Sequence, residues 1–193
     1  MLKKLGIGAT LISVIFILTA CAGSMPAAIT EPTPSPSPEP APATDPEPTP
    51  VVDPEPRPSG SIKATWVEVN VDPGNRTVSV PLAELEDNWN THFKLETTDG
   101  DIDFMAYIFE GAVYIRANVC PPCRSVGFSL DEDNRILICD RCATIFDAET
   151  GSGIEGACVD YPKAAVAYEI IDGQIVASEI DLTTAYEETL LPG

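Results

Sequence analysis

The chain is poor in the residues that most active sites use. It has a single histidine, His92, among 193 residues. One histidine excludes two-histidine metal ligation and leaves no convincing nucleophile–base–acid triad. No glycine-rich phosphate loop is present either. Bases are scarce: eleven lysines and arginines face thirty acids, for a net charge of −19. Without a basic patch, that balance argues against nucleic acid as a partner. It gives a self-repelling, soluble surface that can also attract cations. Carboxylates are many, but no pair stands out for acid–base work. His92 precedes an apolar strand, far in sequence from the cysteines, and reads as structural.

What the chain has instead is six cysteines and nineteen prolines. Cys120-Pro-Pro-Cys123 is followed, after fifteen residues, by Cys139-Asp-Arg-Cys142. Two C-x-x-C turns at this separation are the spacing of a four-thiolate metal site, because each turn aims two sulfurs at one point. The residues between them read as a β-hairpin. Val126, Phe128 and Leu130 alternate with polar neighbours, Asp131-Glu-Asp-Asn134 turns, and Ile136-Leu-Ile138 returns. The hairpin brings the second turn back to face the first. The competing reading is disulfide bonding of Cys120 with Cys123 and of Cys139 with Cys142. Such bridges would close very small loops and stabilise little, whereas a structural tetrathiolate metal contributes on the order of 10 kcal/mol to folding. Four thiolates suit zinc, a single iron or an iron–sulfur cluster. Cys158 is a fifth candidate, either a small buried apolar residue or an accessory thiol beside the site.

Residues 1–20 read as a signal peptide: Lys3 and Lys4 precede an apolar run from Leu5 to Leu18. Leu18-Thr-Ala-Cys21 matches the lipobox of bacterial lipoproteins, in which Cys21 is lipidated and becomes the first mature residue. The expected location is the bacterial cell envelope, with the chain anchored to membrane lipid through Cys21 on the extracytoplasmic face. The signal lacks a twin-arginine motif, so export in the unfolded state is expected, with metal acquired or a cluster built afterwards. Most of the prolines lie between Pro26 and Pro58, with almost no large apolar residues among them. Residues 21–60 therefore read as the lipidated cysteine and a disordered stalk of extended polyproline II type. Residues 61–193 are long enough for one domain with its own core. Expected strands include Trp66–Val71 leading into a hairpin with Thr77–Val80, His92–Leu95, Ile102–Phe109, Ala112–Val119, Ala143–Phe146, Ala164–Ile171 and Gln174–Ala177. Short helical turns are expected at Pro81–Leu85 and Asp181–Tyr186. The fold class is mostly β: a metal-knuckle domain after a Pro-rich stalk.

Two resemblances start from the cysteine turns. Cys139-Asp-Arg-Cys142-Ala-Thr-Ile-Phe146-Asp147-Ala-Glu-Thr150-Gly151 resembles the second ligand loop of Rieske iron–sulfur domains. Tyr168–Val176 resembles that fold's closing hairpin. Cys123 and Cys142 stand where that family has histidines, and the first pair encloses two residues where the family has one. A two-cysteine, two-histidine centre is thereby excluded, and a Rieske-like or rubredoxin-like scaffold is implied. The closer resemblance is to the FtrD-like membrane iron–sulfur containing family. It rests on the two C-x-x-C turns, Gly127-Phe128, Phe146, Gly156-Ala-Cys158 and Pro162, and spans about residues 77–180. It implies an iron–sulfur cluster or mononuclear iron on Cys120, Cys123, Cys139 and Cys142. It also implies electron transfer or iron handling at the membrane surface, with an iron-uptake permease or a redox protein as partner. The chain departs from that family by lacking a multi-span membrane part. The expectation is thus a non-enzymatic redox or metal-binding protein. A structural zinc module and a thiol–disulfide redox protein are the alternatives.

Overall fold

A computed structural model describes residues 46–51 and 59–193. The expected signal peptide, Cys21 and residues 22–45 and 52–58 of the expected stalk lie outside the described residues. The described residues belong to one compact unit. Among the described residues no helix is long and apolar enough to cross a membrane.

The fold is mostly β, as expected, with two short helices among the described residues. The chain order is β1 (Ser61–Ile62), β2 (Thr65–Trp66), β3 (Asn70–Asp72), β4 (Thr77–Pro81), α1 (Leu82–Asn88), β5 (Asn90–Thr97), β6 (Gly100–Phe109) and β7 (Ala112–Ala117). There follow β8 (Phe128–Asp131), β9 (Ile136–Cys139), β10 (Ile145–Asp147), β11 (Gly153–Glu155), β12 (Glu169–Ile171), β13 (Gln174–Ser178) and α2 (Glu179–Thr189). They form three sheets, ordered β2-β5-β6-β7, β12-β13-β4-β3 and β1-β8-β9-β10-β11.

The long strand β6 explains how the three sheets assemble. Successive strand residues point to opposite faces, and β6 is apolar on both. Phe104, Ala106 and Ile108 join one buried cluster with Phe93, Val113, Ile115, Val80 and Ile175. Met105, Tyr107 and Phe109 join a second with Cys120, Phe128, Leu137, Cys139, Phe146 and Cys158. The β5–β6–β7 sheet is therefore the middle layer. One face packs on the β4–β13 sheet and α2, whose Leu182 and Ala185 are buried. The other face carries the cysteine-bearing sheet.

Two strands differ from expectation. Trp66–Val71 is not one strand: Trp66 pairs parallel with His92 in β5, and only residues 70–72 form the hairpin with β4. The break falls at Val67, whose N–H is taken by the His92 carbonyl at 2.8 Å. Ala164–Ile171 is strand only from Glu169. Residues 164–166 instead follow β7, with Val166 N–H on the Ile115 carbonyl at 2.9 Å. Farther up the same edge lie residues 49–51 of the Pro-rich segment. Val113 N–H donates to the Thr49 carbonyl at 3.1 Å, and Val51 N–H donates to the Gly111 carbonyl at 2.7 Å. Pro50, which has no N–H to give, sits at an edge position where none is required. The edge of β7 is thereby covered along its length.

Candidate metal centre

Each C-x-x-C turn is closed by the same pair of backbone bonds. In the first, Arg124 N–H reaches the Cys120 carbonyl at 2.7 Å and Cys120 N–H reaches the Ser125 carbonyl at 2.9 Å. In the second, Ala143 N–H reaches the Cys139 carbonyl and Cys139 N–H reaches the Thr144 carbonyl, both at 2.9 Å. The residue after each turn is left-handed, with φ of 56° at Arg124 and 55° at Ala143. That conformation is disfavoured for residues with a Cβ, so the paired bonds and the site must hold it. The hairpin β8–β9 joins the two turns, with Phe128 opposite Cys139. Asp140 braces the second turn through Ser129 Oγ at 2.5 Å and Lys63 Nζ at 2.7 Å.

The four expected ligands meet. One sulfur from each of Cys120, Cys123, Cys139 and Cys142 lies within 4.8 Å of the other three. Cys123 and Cys139 sulfurs are 3.7 Å apart. A tetrahedral ion with metal–sulfur bonds of about 2.3 Å holds its sulfurs about 3.8 Å apart, so this donor set fits a thiolate-bound metal. Cys120 and Cys139 are buried, while Cys123 and Cys142 are half-buried. The site thus has one wall in the core and one toward solvent.

The expected accessory thiol is at the site as well. Cys158 is buried, and its sulfur lies 3.7 Å from that of Cys142. Thr144 links the two: its hydroxyl is 3.2 Å from Cys142 Sγ and accepts the Cys158 N–H at 3.3 Å. Burial opposes ionisation of Cys142. Bonds from the Thr144 hydroxyl and backbone N–H and from neighbouring thiols outweigh it, and hold this thiol down at about 6. Burial pushes Cys120 well above the ordinary thiol value and Cys123 up to about 11. Cys142 is therefore more ready than Cys120 or Cys123 to receive a cation.

Three residues of the site carry no spacing signal in the sequence. Thr144 is one. The second is Lys163, buried with its ammonium donating to the Val119 and Tyr161 carbonyls at 2.8 and 2.9 Å. The third is Arg116, also buried. It donates to the Tyr107 hydroxyl at 3.0 Å, to the Lys163 carbonyl at 2.7 Å and to the Glu149 carbonyl. On β7 it alternates with apolar residues, and the cysteine-bearing sheet covers its face. Only the tertiary contacts reveal these roles. His92 is buried and is not one of the converging ligands; it lies edge-on to Trp66 at 5.3 Å between ring centres. Burial holds it down to about 4, while Asp140 of the second turn and the Phe128 backbone favour its charged form.

Several known proteins are similar to this chain. Among solved structures, the ferredoxin of carbazole 1,9a-dioxygenase from Nocardioides aromaticivorans IC177 is 16% identical. It covers 62% of this chain and 98% of its own, with a TM-score of 0.42. The plasma membrane Rieske protein PetC3 from Synechocystis PCC 6803 is 15% identical, with 51% and 94% covered and a TM-score of 0.38. A ferredoxin of Sphingomonas yanoikuyae B1 is 22% identical, with 40% and 74% covered and a TM-score of 0.35. No curated protein matches. The model of the FtrD-like membrane iron–sulfur containing proteins matches residues 85–188, more than half of the chain and all five cysteines described above. The chain belongs to the FtrD-like family of membrane iron–sulfur containing proteins, and its four-cysteine cluster fits an iron–sulfur cofactor.

Proposed function

We propose that this protein is a lipid-anchored, extracytoplasmic electron carrier whose iron–sulfur centre is held by Cys120, Cys123, Cys139 and Cys142. The observation that carries the reading is the convergence of these four sulfurs within 4.8 Å of one another, two of them half-exposed. Thiolate-held iron can change oxidation state without any substrate chemistry. A centre with one wall at the surface can exchange electrons with a docked partner. Arg124 and Arg141 are exposed beside it, on a chain of net charge −19. That local reversal of sign suits an acidic redox partner. An iron-uptake permease is the second partner class, with iron handling as the purpose of the electron transfer. The lipobox at Cys21 supports attachment to the outer face of a membrane, and the proline-rich residues beyond it support a spacer.

The test is metal analysis of the full chain purified without oxygen, with its visible spectrum and acid-labile sulfide. Iron with charge-transfer absorption is expected. Colourless protein carrying zinc would overturn the electron-carrier reading in favour of a structural clamp, which the same sulfur span also suits. Membrane attachment is tested separately by Cys21→Ser, which is expected to release the protein from the membrane fraction. Retention there would contradict the lipid anchor.

A further inference from the structure

Among the described residues, Lys163 is the only buried lysine. Burying an ammonium is unfavourable unless charges and hydrogen bonds compensate. Two of its three donors go to the carbonyls of Val119, which precedes Cys120, and of Tyr161. The ring centres of Phe146 and Phe128 lie 4.5 and 5.4 Å from Nζ. No carboxylate of the described residues forms an ion pair with it. Burial opposes its charge and holds it down to about 8; the groups that favour its charged form are the sulfurs of Cys120, Cys139, Cys158 and Cys123. The backbone around it is clamped. Lys163 N–H donates to the Gly151 carbonyl at 2.8 Å, and Arg116 holds the Lys163 carbonyl. Gly151, at φ of 75°, lets the chains close: a Cβ there would meet the Lys163 carbonyl oxygen at 2.3 Å.

We propose that Lys163 is the fixed counter-charge of the four-sulfur centre, a positioning residue that strengthens metal binding and favours the reduced state of bound iron. Four thiolates around a divalent ion build a net charge of about −2, and reducing a bound ferric ion to ferrous takes the centre from about −1 to about −2. A cation held in a water-poor layer beside the sulfurs favours both changes, because attraction is weakly screened there. The sign is the same whether the centre holds one ion or a cluster.

This inference rests on the four cysteines binding metal, and its test separates the two claims. In the full chain, Lys163→Gln removes the charge and keeps amide donors for the two carbonyls. Lys163→Met removes the charge and fills the same apolar space, and it replaces the Gln variant if that one does not fold. Lys163→Arg keeps the charge. Zinc affinity is measured by competition with a chelating dye, and the iron midpoint by redox titration. The neutral variant is expected to bind zinc at least tenfold more weakly. Its reduction equilibrium should move at least tenfold toward oxidised, a midpoint 59 mV lower for a one-electron couple. The Arg variant should stay within threefold of wild type on both readings. A neutral variant within twofold of wild type on both would overturn the proposal. A wild-type protein that takes zinc but never iron would sink the electron-carrier reading, while the zinc arm would still decide the role of Lys163.

Discussion

Thr144 stands where two thiols meet, and its hydroxyl helps to ready one of them for a metal. Thr144→Val should therefore raise the Cys142 thiol from about 6 toward its ordinary value. The rate of alkylation of the metal-free protein against pH reads this directly. Half-maximal reactivity of Cys142 is expected near pH 6 in the wild type and at least one unit higher in the variant; coincident profiles would contradict the assignment. Cys139→Ser should abolish tight metal binding, since it removes a buried member of a four-sulfur set. Full occupancy in that variant would exclude four-thiolate ligation. His92 gives a pH prediction at the same scale. Its folded-state value, about 4, lies below the ordinary 6.5. Between these values the unfolded chain binds more protons than the folded one, so stability falls as pH drops through this window. The loss is up to about 3 kcal/mol. Denaturant titrations of wild type and His92→Gln at pH 7 and pH 4.5 should show that extra loss only in the wild type.

At the scale of elements, the two cysteine turns were readable because their information is local. Four residues define each turn, and Val126–Ile138 carries the alternation and the turn signals of a hairpin. Strand β6 was readable for a different reason. The six-residue apolar run Phe104–Phe109 fits a strand buried on both faces, and the middle layer is what that run becomes. The segment 164–168 misled because its apolar composition suits a strand, yet Val166 takes its bond from the already crowded edge of β7. Arg116 and Lys163 were unreadable for a deeper reason: each is a single base in a non-repeating context, and three of their partners lie 33 to 47 residues away. The loop β11–Cys158 offers a test at this scale. Gly156 has φ of 121°, and a Cβ on it would lie 2.7 Å from both Cα and Oγ1 of Thr144. Gly156→Ala should cost about 2–4 kcal/mol of stability, from strain and overpacking, and should weaken metal retention with it. Thermal melts with and without zinc check this, and a variant as stable as wild type would mean that the loop yields easily.

Across the whole molecule, one sheet serves two cores, and the metal centre belongs to the second of them. Its inner wall is built from β6, β8 and β9, so the two cysteine turns are seated against packed strands. The Pro-rich segment also contributes where it meets the domain. Thr49 N–H donates to the Tyr168 hydroxyl at 2.8 Å, and that hydroxyl donates to the Val113 carbonyl at 2.6 Å. Tyr168→Phe should loosen this strap by about 1 kcal/mol and raise amide exchange at Val51 and Val113 before the domain itself unfolds. The central claim, an iron–sulfur centre on four cysteines, is tested most directly by the metal content and visible spectrum of the full chain prepared without oxygen. The account predicts a coloured protein with iron that is lost in Cys139→Ser. A colourless protein filled with zinc, or iron retained by that variant, would contradict it.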